Sequence, residues 1–499
     1  MSLGAARSTT RPTLTSTAPA SGAVVGEFPV HDADDVAAAV GRARDAAAAW
    51  AGLGFDDRRR RLAAYRGALA RRAHELADLV HRETGKPHAD AVLEVTLAVD
   101  HLAWAGRHAR RVLGRRRVAP GLLAANHAAW LEYQPLGVVG VIGPWNYPVF
   151  TPMGSIAYAL AAGNAVVLKP SEHTPAVGVW LADAWRTAVP DAADALQVVT
   201  GAGETGAALC RAGVGKLAFT GSAATGRRVM AACAETLTPV LMELGGKDAM
   251  IVDDDADVAA AASAAVWGAM SNAGQTCIGI ERVYATSAVY DRFVAEVTER
   301  VRGLRPGTGD GAAYGPMTMA AQADVVRRHL DDALAAGGRV VAGGTVEGRL
   351  VAPTVLLDVP ETSAAVREET FGPTLTITRV RDAEEALART NANPHGLAGA
   401  VFSRSRARAM DLARRMRSGM TSVNSVLTFA AVPALPFGGV GDSGFGRIHG
   451  ADGLREFTRA KAITRQRFPL PVDLMSFTRP AGAADALARV MTLVHGRHR

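Results

Sequence analysis

Residues 137–148 read GVVGVIGPWNYP, and residues 216–226 read KLAFTGSAATG. Each segment is a short apolar run that ends in a turn rich in glycine, proline, serine or threonine, and a helical pattern follows each of them. Two similar runs, at 165–168 and 196–200, lie between them. Short strands alternating with helices predict parallel strand–helix–strand units, and therefore an α/β fold with a doubly wound, Rossmann-like parallel sheet.

The same pattern extends along most of the chain. We predict helices at 156–162, 174–187, 206–212 and from 224 onward, mainly helical structure over 32–117, a hairpin at 118–135, and a second alternating α/β region over about 250–440. Ligands of doubly wound sheets bind beyond the carboxyl ends of the strands. The polar segments that follow the predicted strands are therefore the candidate sites.

Composition limits the possible functions. With 499 residues, 48% hydrophobic and 21% charged, the chain is long enough for two or three folded domains. Its three cysteines are Cys210, Cys233 and Cys277, and no two of them have the spacing of a metal-binding pair. A disulfide scaffold is excluded, and we expect no metal site.

The charge pattern is basic but dispersed. The formal net charge is +7, and the positive residues occur as short scattered runs, which favours an ordinary solvated surface over nucleic-acid binding. The chain has 50 arginines and only five lysines. Positions that remain lysine despite this bias are candidates for sites that need a compact ammonium group.

The two ends of the chain carry separate expectations. The first twenty residues contain no long apolar stretch, so we predict a loose arm without a secretory signal, and a cytoplasmic location. The charge-free run 133–168 contains Pro144, Pro148 and Pro152, which argues against a membrane-spanning helix. Residues 484–494 are amphipathic; we expect docking on a partner subunit or disorder rather than association with an anionic membrane.

Three residues are candidates for catalysis. Cys277 ends the polar segment 271–277 (SNAGQTC), where a loop cysteine can be exposed and have a tuned pKa. Glu243 precedes two glycines at a predicted strand end, and Asn146 lies in a proline-bracketed loop that would hold its amide rigidly, as an oxyanion donor requires. From the residues alone, an inert cysteine, a surface glutamate and a structural asparagine remain open alternatives.

Further segments are candidates for binding a dinucleotide. Ser222 begins a helix whose free N–H groups suit a pyrophosphate, although an ordinary helix cap has the same pattern. Lys169 and Glu172 follow a strand and could hold ribose hydroxyls, or form a solvated turn. Residues 201–206 (GAGETG) match the G-x-G-x-x-G pattern but lack the acidic residue about twenty positions later, so we do not assign them as the main phosphate loop.

Taken together, these segments resemble the aldehyde dehydrogenase superfamily. PWNYP, LKPSE, FTGSAATG, ELGGK and GQTC follow one another in the family's order, and EETFGP at 368–373, Asn424 and PFGG at 436–439 continue the match. The resemblance covers roughly residues 20–467, and the sequence is somewhat similar to bacterial succinate-semialdehyde dehydrogenases. It implies an NAD(P)-dependent oxidoreductase.

The resemblance also implies residue roles. Cys277 would be the nucleophile, Glu243 the general base, and Asn146 an oxyanion donor together with the backbone N–H of Cys277. Lys169 and Glu172 would hold the adenosine ribose, with NAD favoured over NADP, although the Ser171 hydroxyl would suit a 2′-phosphate. The implied dinucleotide contacts are Trp145, Lys169, Ser171, Glu172, Thr220, Gly221, Ser222, Glu369 and Phe371.

The implied reaction oxidises an aldehyde to a carboxylic acid through a thiohemiacetal and a thioester on Cys277, with water activated by Glu243. Family members that acylate coenzyme A typically lack the base, so Glu243 argues for hydrolysis. A catalytically silent member of the fold and a papain-like hydrolase are weaker alternatives, because the three catalytic residues are present and no evident histidine accompanies Cys277.

The substrate follows less directly from the resemblance. Tyr147, Phe150 and Phe437 are expected to line a tunnel for an apolar aliphatic or aromatic aldehyde, with Met153, Leu427 and Phe429 as further candidates. Some succinate-semialdehyde dehydrogenases have arginine six residues before the catalytic cysteine, where this chain has Ser271. Succinate semialdehyde therefore remains the alternative substrate.

The resemblance implies three parts and a tail. A cofactor domain would take 1–114 and 137–245, a catalytic domain 246–442, and an oligomerisation element 115–136 and 443–467, with a tail at 468–499. A homodimer or homotetramer is implied.

Overall fold

The computed structural model describes residues 11–309, 311–471 and 474–496. Its contacts divide the chain into a large unit, which contains the described residues up to 112 and 135–458, and a small unit, which contains 113–134 and the described residues from 459 onward. Among the described residues, the large unit contains two large sheets and three two-stranded sheets, and the small unit contains one three-stranded sheet.

The first sheet of the large unit has six strands. In spatial order they are Gly444–Phe445, Val240–Leu244, Lys216–Gly221, Val138–Ile142, Ala165–Lys169 and Leu196–Val198. All neighbours are parallel except the first pair. The helices that accompany it are Phe150–Ala162, Pro175–Ala188, Gly203–Arg211 and Ala223–Ala234. The predicted doubly wound parallel sheet is confirmed, with boundaries shifted by a few residues.

The second sheet has seven strands and follows the same principle. Its spatial order is Arg339–Ala342, Thr354–Leu357, Thr374–Val380, Ile280–Thr286, Asp248–Val252, Gly399–Phe402 and Ser422–Val423. Only the first strand is antiparallel to its neighbour. Its helices include Val258–Met270, Tyr290–Gly303, Ala320–Ala335, Ala383–Ala392 and Arg406–Arg415. The central strand Ile280–Thr286 is buried along its whole length, as expected for a strand covered on both faces.

The N-terminal part of the large unit corrects one prediction. Helices Ala33–Gly52, Gly54–Arg71, Ala73–Thr84 and His88–Leu113 occupy the region predicted to be helical. Strand Thr13–Thr17, however, lies where a loose arm was predicted, and it pairs with Val24–Pro29. The arm is ordered there because Ser16 is buried and donates a 2.6 Å hydrogen bond to the Glu83 carboxylate. Residues 1–10 lie outside the described part of the chain.

The small unit is a three-stranded sheet followed by a helix. Strands Thr458–Gln466, His127–Pro135 and Arg116–Val118 lie in that order, and the last two form the predicted hairpin. Helix Ala483–His495 ends the described chain, and its apolar residues Val490, Met491, Leu493 and Val494 are exposed. None of the helices described is both long and apolar enough to cross a membrane.

Candidate active site

The carboxyl ends of the first sheet bring the candidate segments together. The strands ending at Ile142, Lys169, Gly221 and Leu244 are parallel neighbours, so the polar segments that follow them meet at one edge. Cys277 comes from a different element, the loop between helix Val258–Met270 and strand Ile280–Thr286 of the second sheet. The two sheets thus contribute complementary parts of one site.

A cavity of about 690 Å³ opens at this edge. Its walls contain all nine of the residues assigned above to dinucleotide contacts, together with Asn146, Glu243 and Cys277. Lys169 is buried, and its ammonium lies 3.5 Å from the half-exposed carboxylate of Glu172. Ser222 caps helix Ala223–Ala234, where its hydroxyl accepts the N–H of Thr225. This part of the cavity wall therefore carries an ammonium and a carboxylate, together with the positive end of a helix.

The cavity wall near Phe371 is held by two glutamates, the buried Glu281 and the half-buried Glu369. Glu281 accepts the backbone N–H groups of Thr370 at 2.8 Å and Phe371 at 2.9 Å, and it pairs with the buried ammonium of Lys247. The Glu369 carboxylate accepts the N–H of Gly246 at 2.9 Å. These bonds fix the segment 369–371, whose Phe371 backbone has a positive φ of 51°.

This long cavity suits a dinucleotide. The ring of Phe371 stands edge-on to Trp145 with centroids 5.5 Å apart, which gives the inner end an aromatic wall. Gly245 lies so close to Glu369 that an added Cβ would stand 2.3 Å from its carboxylate. The lining includes the start of helix Ala223–Ala234 and the carboxylates of Glu172 and Glu369, which are groups that could hold the pyrophosphate and riboses of NAD or NADP.

A second cavity, of about 300 Å³, also borders Cys277. Glu243 and Cys277 border both cavities. The walls of the second cavity are mostly apolar and include Leu93, Leu97, Tyr147, Phe150, Trp267, Val426, Leu427, Phe437 and Ile448. Tyr147, Phe150, Leu427 and Phe437 are thus located at the cavity for which they were proposed. Met153 and Phe429 are buried in the surrounding structure and are not among its lining residues.

The loop that carries Cys277 is strained and heavily bonded. Asn272, Ala273 and Gly274 all have positive φ, at 52°, 56° and 71°. An added Cβ at Gly274 would stand 2.0 Å from the carbonyl oxygen of Gly372, so only glycine fits there. The Gln275 side chain holds the turn by donating to the Asn272 carbonyl at 3.0 Å and accepting the N–H of Thr318 at 2.9 Å.

The electrostatics of the site suit an acid–base reaction. Burial raises the pKa of the Cys277 thiol well above its usual range, and the carboxyl groups of Glu243, Glu369 and Asp248 raise it further. Burial also raises the pKa of Glu243 to about 8, with a further rise from Glu369 and an opposing effect of the Thr220 hydroxyl. A carboxyl group with that pKa exchanges protons near neutral pH, which a general base requires.

Several residues that line the larger cavity were not predicted from the sequence. Gly203 and Gly206, from the G-x-G-x-x-G match that was set aside as the main phosphate loop, line it, as do Arg228 and Gln322. The glycine pattern was a usable signal, whereas Arg228 and Gln322 lie on helices with no distinguishing motif. The structural cysteines behave as predicted, since Cys210 and Cys233 are both buried, although Cys210 also reaches the cavity wall.

The family profile described as "Aldehyde dehydrogenase family" matches residues 6–463. The chain belongs to the aldehyde dehydrogenase family. It is therefore an oxidoreductase that oxidises an aldehyde with NAD or NADP.

Three comparisons describe its neighbours. The chain is 36% identical over 487 residues to a 4,4′-diapolycopene aldehyde oxidase of Methylomonas sp, covering 97% of this chain and 92% of that protein. It is 37% identical over 467 residues to a putative NADP-dependent succinate-semialdehyde dehydrogenase of Mycobacterium ulcerans, covering 92% and 89%. It matches the crystal structure of PnpE of Pseudomonas sp. WBC-3 in complex with NAD, with a TM-score of 0.87, 33% identity and coverage of 92% and 95%.

Proposed function

We propose that this aldehyde dehydrogenase oxidises an apolar aliphatic or aromatic aldehyde to the carboxylic acid, by covalent catalysis at Cys277 and hydrolysis assisted by Glu243. The observation that supports this is the position of Cys277 and Glu243 on a wall common to both cavities. A substrate in the apolar cavity and a dinucleotide in the other would meet at the thiol.

Cys277 starts the reaction. The thiol releases its proton to solvent, and the sulfur then attacks the aldehyde carbon, which forms a thiohemiacetal and places negative charge on the former carbonyl oxygen. The side-chain amide of Asn146 and the backbone N–H of Cys277 stabilise that oxygen, and one such donor is typically worth about 3 kcal/mol. The dinucleotide, when bound, supplies the hydride acceptor, and Trp145, Glu369 and Phe371 would hold its nicotinamide end.

Glu243 completes the reaction. After oxidation the acyl group remains on Cys277 as a thioester, and Glu243 takes a proton from water, which attacks the acyl carbon and releases the acid and the thiol. A raised pKa makes its carboxylate a stronger base than an exposed glutamate. A coenzyme A-acylating reaction remains the less favoured alternative, since it would not need this base.

The charges around the apolar cavity disfavour a carboxylate on the substrate. Lys86 borders the cavity, but its ammonium is 2.6 Å from the Glu94 carboxylate, and Asp90 adds a second acidic group to the wall. Ser271 supplies a hydroxyl where an arginine would grip a carboxylate. The similarity to an oxidase of diapolycopene aldehyde points the same way, while the similarity to semialdehyde dehydrogenases keeps succinate semialdehyde as the alternative substrate.

NAD is the proposed cofactor. The Glu172 carboxylate beside Lys169 would hydrogen-bond ribose hydroxyls and repel a 2′-phosphate. Ser171 and the exposed Arg228 also border this end of the cavity and could hold a phosphate there, so NADP remains the alternative.

The domain assignment remains a proposal: a cofactor domain at 1–114 and 137–245, a catalytic domain at 246–442, and an oligomerisation element at 115–136 and 443–467. We propose a homodimer or homotetramer built through this element. Strand Thr458–Gln466 supports this because it lies at the edge of its sheet, and such edges readily pair with another chain. Light scattering of the full chain and of residues 1–467 would test the assembly and the tail's part in it.

The direct test is absorbance at 340 nm, the band of the reduced nicotinamide. Purified protein would be mixed with NAD or NADP and with hexanal, dodecanal, benzaldehyde or succinate semialdehyde. We expect the apolar aldehydes with NAD to react fastest, the carboxylic acid to appear by mass spectrometry, and Cys277→Ala to be inactive. Absence of reaction with every aldehyde and both cofactors would contradict the proposal, and activity only after addition of coenzyme A would replace hydrolysis by acyl transfer.

A further inference from the structure

Lys86 lies at the centre of a hydrogen-bond network beside the site. Its side chain is completely buried, and its ammonium donates to the Glu94 carboxylate at 2.6 Å and to the backbone carbonyl of Asn146 at 2.7 Å. The same ammonium stands 4.1 Å from the centre of the Tyr147 ring. Lys86 therefore contacts the loop of the proposed oxyanion donor directly, through the backbone of that donor.

Glu94 extends the network to the other end of the same loop. Its second carboxylate oxygen accepts the N–H groups of Val149 at 2.8 Å and Phe150 at 3.1 Å, where helix Phe150–Ala162 begins. One ion pair thus holds loop 144–149 at Asn146 and again at the start of the helix. The loop cannot shift without breaking a charge-assisted hydrogen bond in a dry environment.

The network also reaches the loop of the nucleophile. The amide of Asn272 donates to the carbonyl of Asn146 at 3.2 Å, so that carbonyl accepts from both Lys86 and the loop of the nucleophile. The Tyr147 hydroxyl bonds with that of Thr276 at 2.9 Å. Thr276 directly precedes Cys277. The ion pair therefore fixes the donor relative to the thiol.

The residue type fits this role. The chain uses arginine almost everywhere, with 50 arginines and five lysines, yet a lysine stands at this buried position. An ammonium is a compact charge that can point its three N–H bonds at two oxygens and a ring face, whereas a guanidinium is a larger planar group. A buried ion pair is also an inefficient way to stabilise a fold, because removing both charges from water offsets most of their attraction.

We propose that Lys86 and Glu94 are positioning residues, which act through Asn146 by holding its amide where the thiohemiacetal oxygen forms. The proposal rests on the function proposed above. Because the pair acts through Asn146, its loss matters only while the Asn146 amide is present. Removal of the amide and removal of the pair are then two ways of losing the same interaction.

A double-mutant cycle tests this. Hydride transfer would be followed by stopped flow at 340 nm in wild type, Lys86→Met, Asn146→Ala and the double variant. We expect Lys86→Met to slow this step about 10- to 100-fold with little change in the dissociation constant of NAD, and the double variant to be no slower than Asn146→Ala. Multiplied effects in the double variant would overturn the proposal.

Two further variants keep the test decisive. Lys216→Met removes another nearly buried lysine, which pairs with Glu456 away from both cavities, and should leave the hydride-transfer rate close to wild type. Lys86→Met combined with Glu94→Gln removes both charges, so it should fold even if Lys86→Met alone does not, and it should remain slow. A rate near wild type for this charge-free variant would overturn the positioning role. An inactive wild type would refute the proposed function instead.

Discussion

The side-chain nitrogen of Asn146 donates a 3.0 Å hydrogen bond to the backbone carbonyl of Gln275, two residues before Cys277. The amide of Asn272 reaches the same carbonyl at 3.1 Å. An asparagine amide has two N–H bonds, so Asn146 retains one for another acceptor. The proposed oxyanion donor is thus anchored to the loop of the proposed nucleophile.

Replacing Asn146 tests this arrangement. Asn146→Ala should lower kcat about 100- to 1,000-fold, because the oxygen of the thiohemiacetal loses a preorganised donor. The dissociation constant of NAD, measured by fluorescence titration, should change little. Asn126→Ala is a matched control, since Asn126 is also buried and donates to a backbone carbonyl at 2.9 Å, but lies in the small unit. Equal losses in the two variants would show that Asn146 acts only in folding.

The pH dependence follows from Glu243. Its pKa is raised to about 8, so the carboxyl group is mostly protonated at pH 6 and mostly ionised at pH 9. Only the ionised form can accept a proton from water, so the rate of thioester hydrolysis should rise with pH, reach half its maximum near pH 8 and level off above about pH 9. The rate would be measured by single-turnover release of the acid between pH 6 and 9.5. A hydrolysis rate that is flat over this range would exclude Glu243 as the base.

The residue at position 271 should determine how efficiently the enzyme oxidises an aldehyde that carries a carboxylate. It lines the apolar cavity, and an arginine there would add a positive charge close to Cys277. Ser271→Arg should therefore raise kcat/KM for succinate semialdehyde at least tenfold and lower it for hexanal. Ser271→Gln, which adds bulk without charge, is the control. If the glutamine variant gives the same gain, charge is not the cause.

Glu172 should set the choice of cofactor. Its carboxylate faces Lys169 at one end of the large cavity, where a 2′-phosphate would meet like charge. Glu172→Gln should raise kcat/KM for NADP by about tenfold or more while lowering that for NAD, because the repulsion is lost together with a hydrogen-bond acceptor for the ribose. Steady-state kinetics with both cofactors would show this. An unchanged preference would assign selectivity to other residues, such as Arg228.

Much of the fold could be predicted from local patterns. The strands of the first sheet are mainly apolar runs bounded by glycine, proline and polar turns, and these patterns hold because strands buried on both faces admit few polar residues. The N-terminal strand Thr13–Thr17 was missed because its sequence, TLTST, is mostly polar and contains no apolar run. Its order comes from a long-range bond between Ser16 and Glu83, which no local pattern contains.

Site residues that lie in sequence motifs could be predicted. Residues that position them through tertiary contacts could not be predicted as well. Cys277, Glu243 and Asn146 stand in distinctive segments and lie around the junction of the two cavities. Glu281, by contrast, lies inside an ordinary strand, and its hydrogen bonds to residues 370 and 371 depend on tertiary packing. Residues that position a site have a weaker sequence signal than residues that act in it.

In the proposed mechanism, Cys277 carries the acyl group and Glu243 activates the water that removes it. The most direct measurement is a rapid-mixing experiment with Glu243→Gln, NAD and excess hexanal, followed at 340 nm and by intact-protein mass spectrometry. We expect a burst of about one NADH per site, almost no further turnover, and a mass increase equal to the hexanoyl group on Cys277. Steady turnover without a burst, or a burst without an acylated protein, would contradict it.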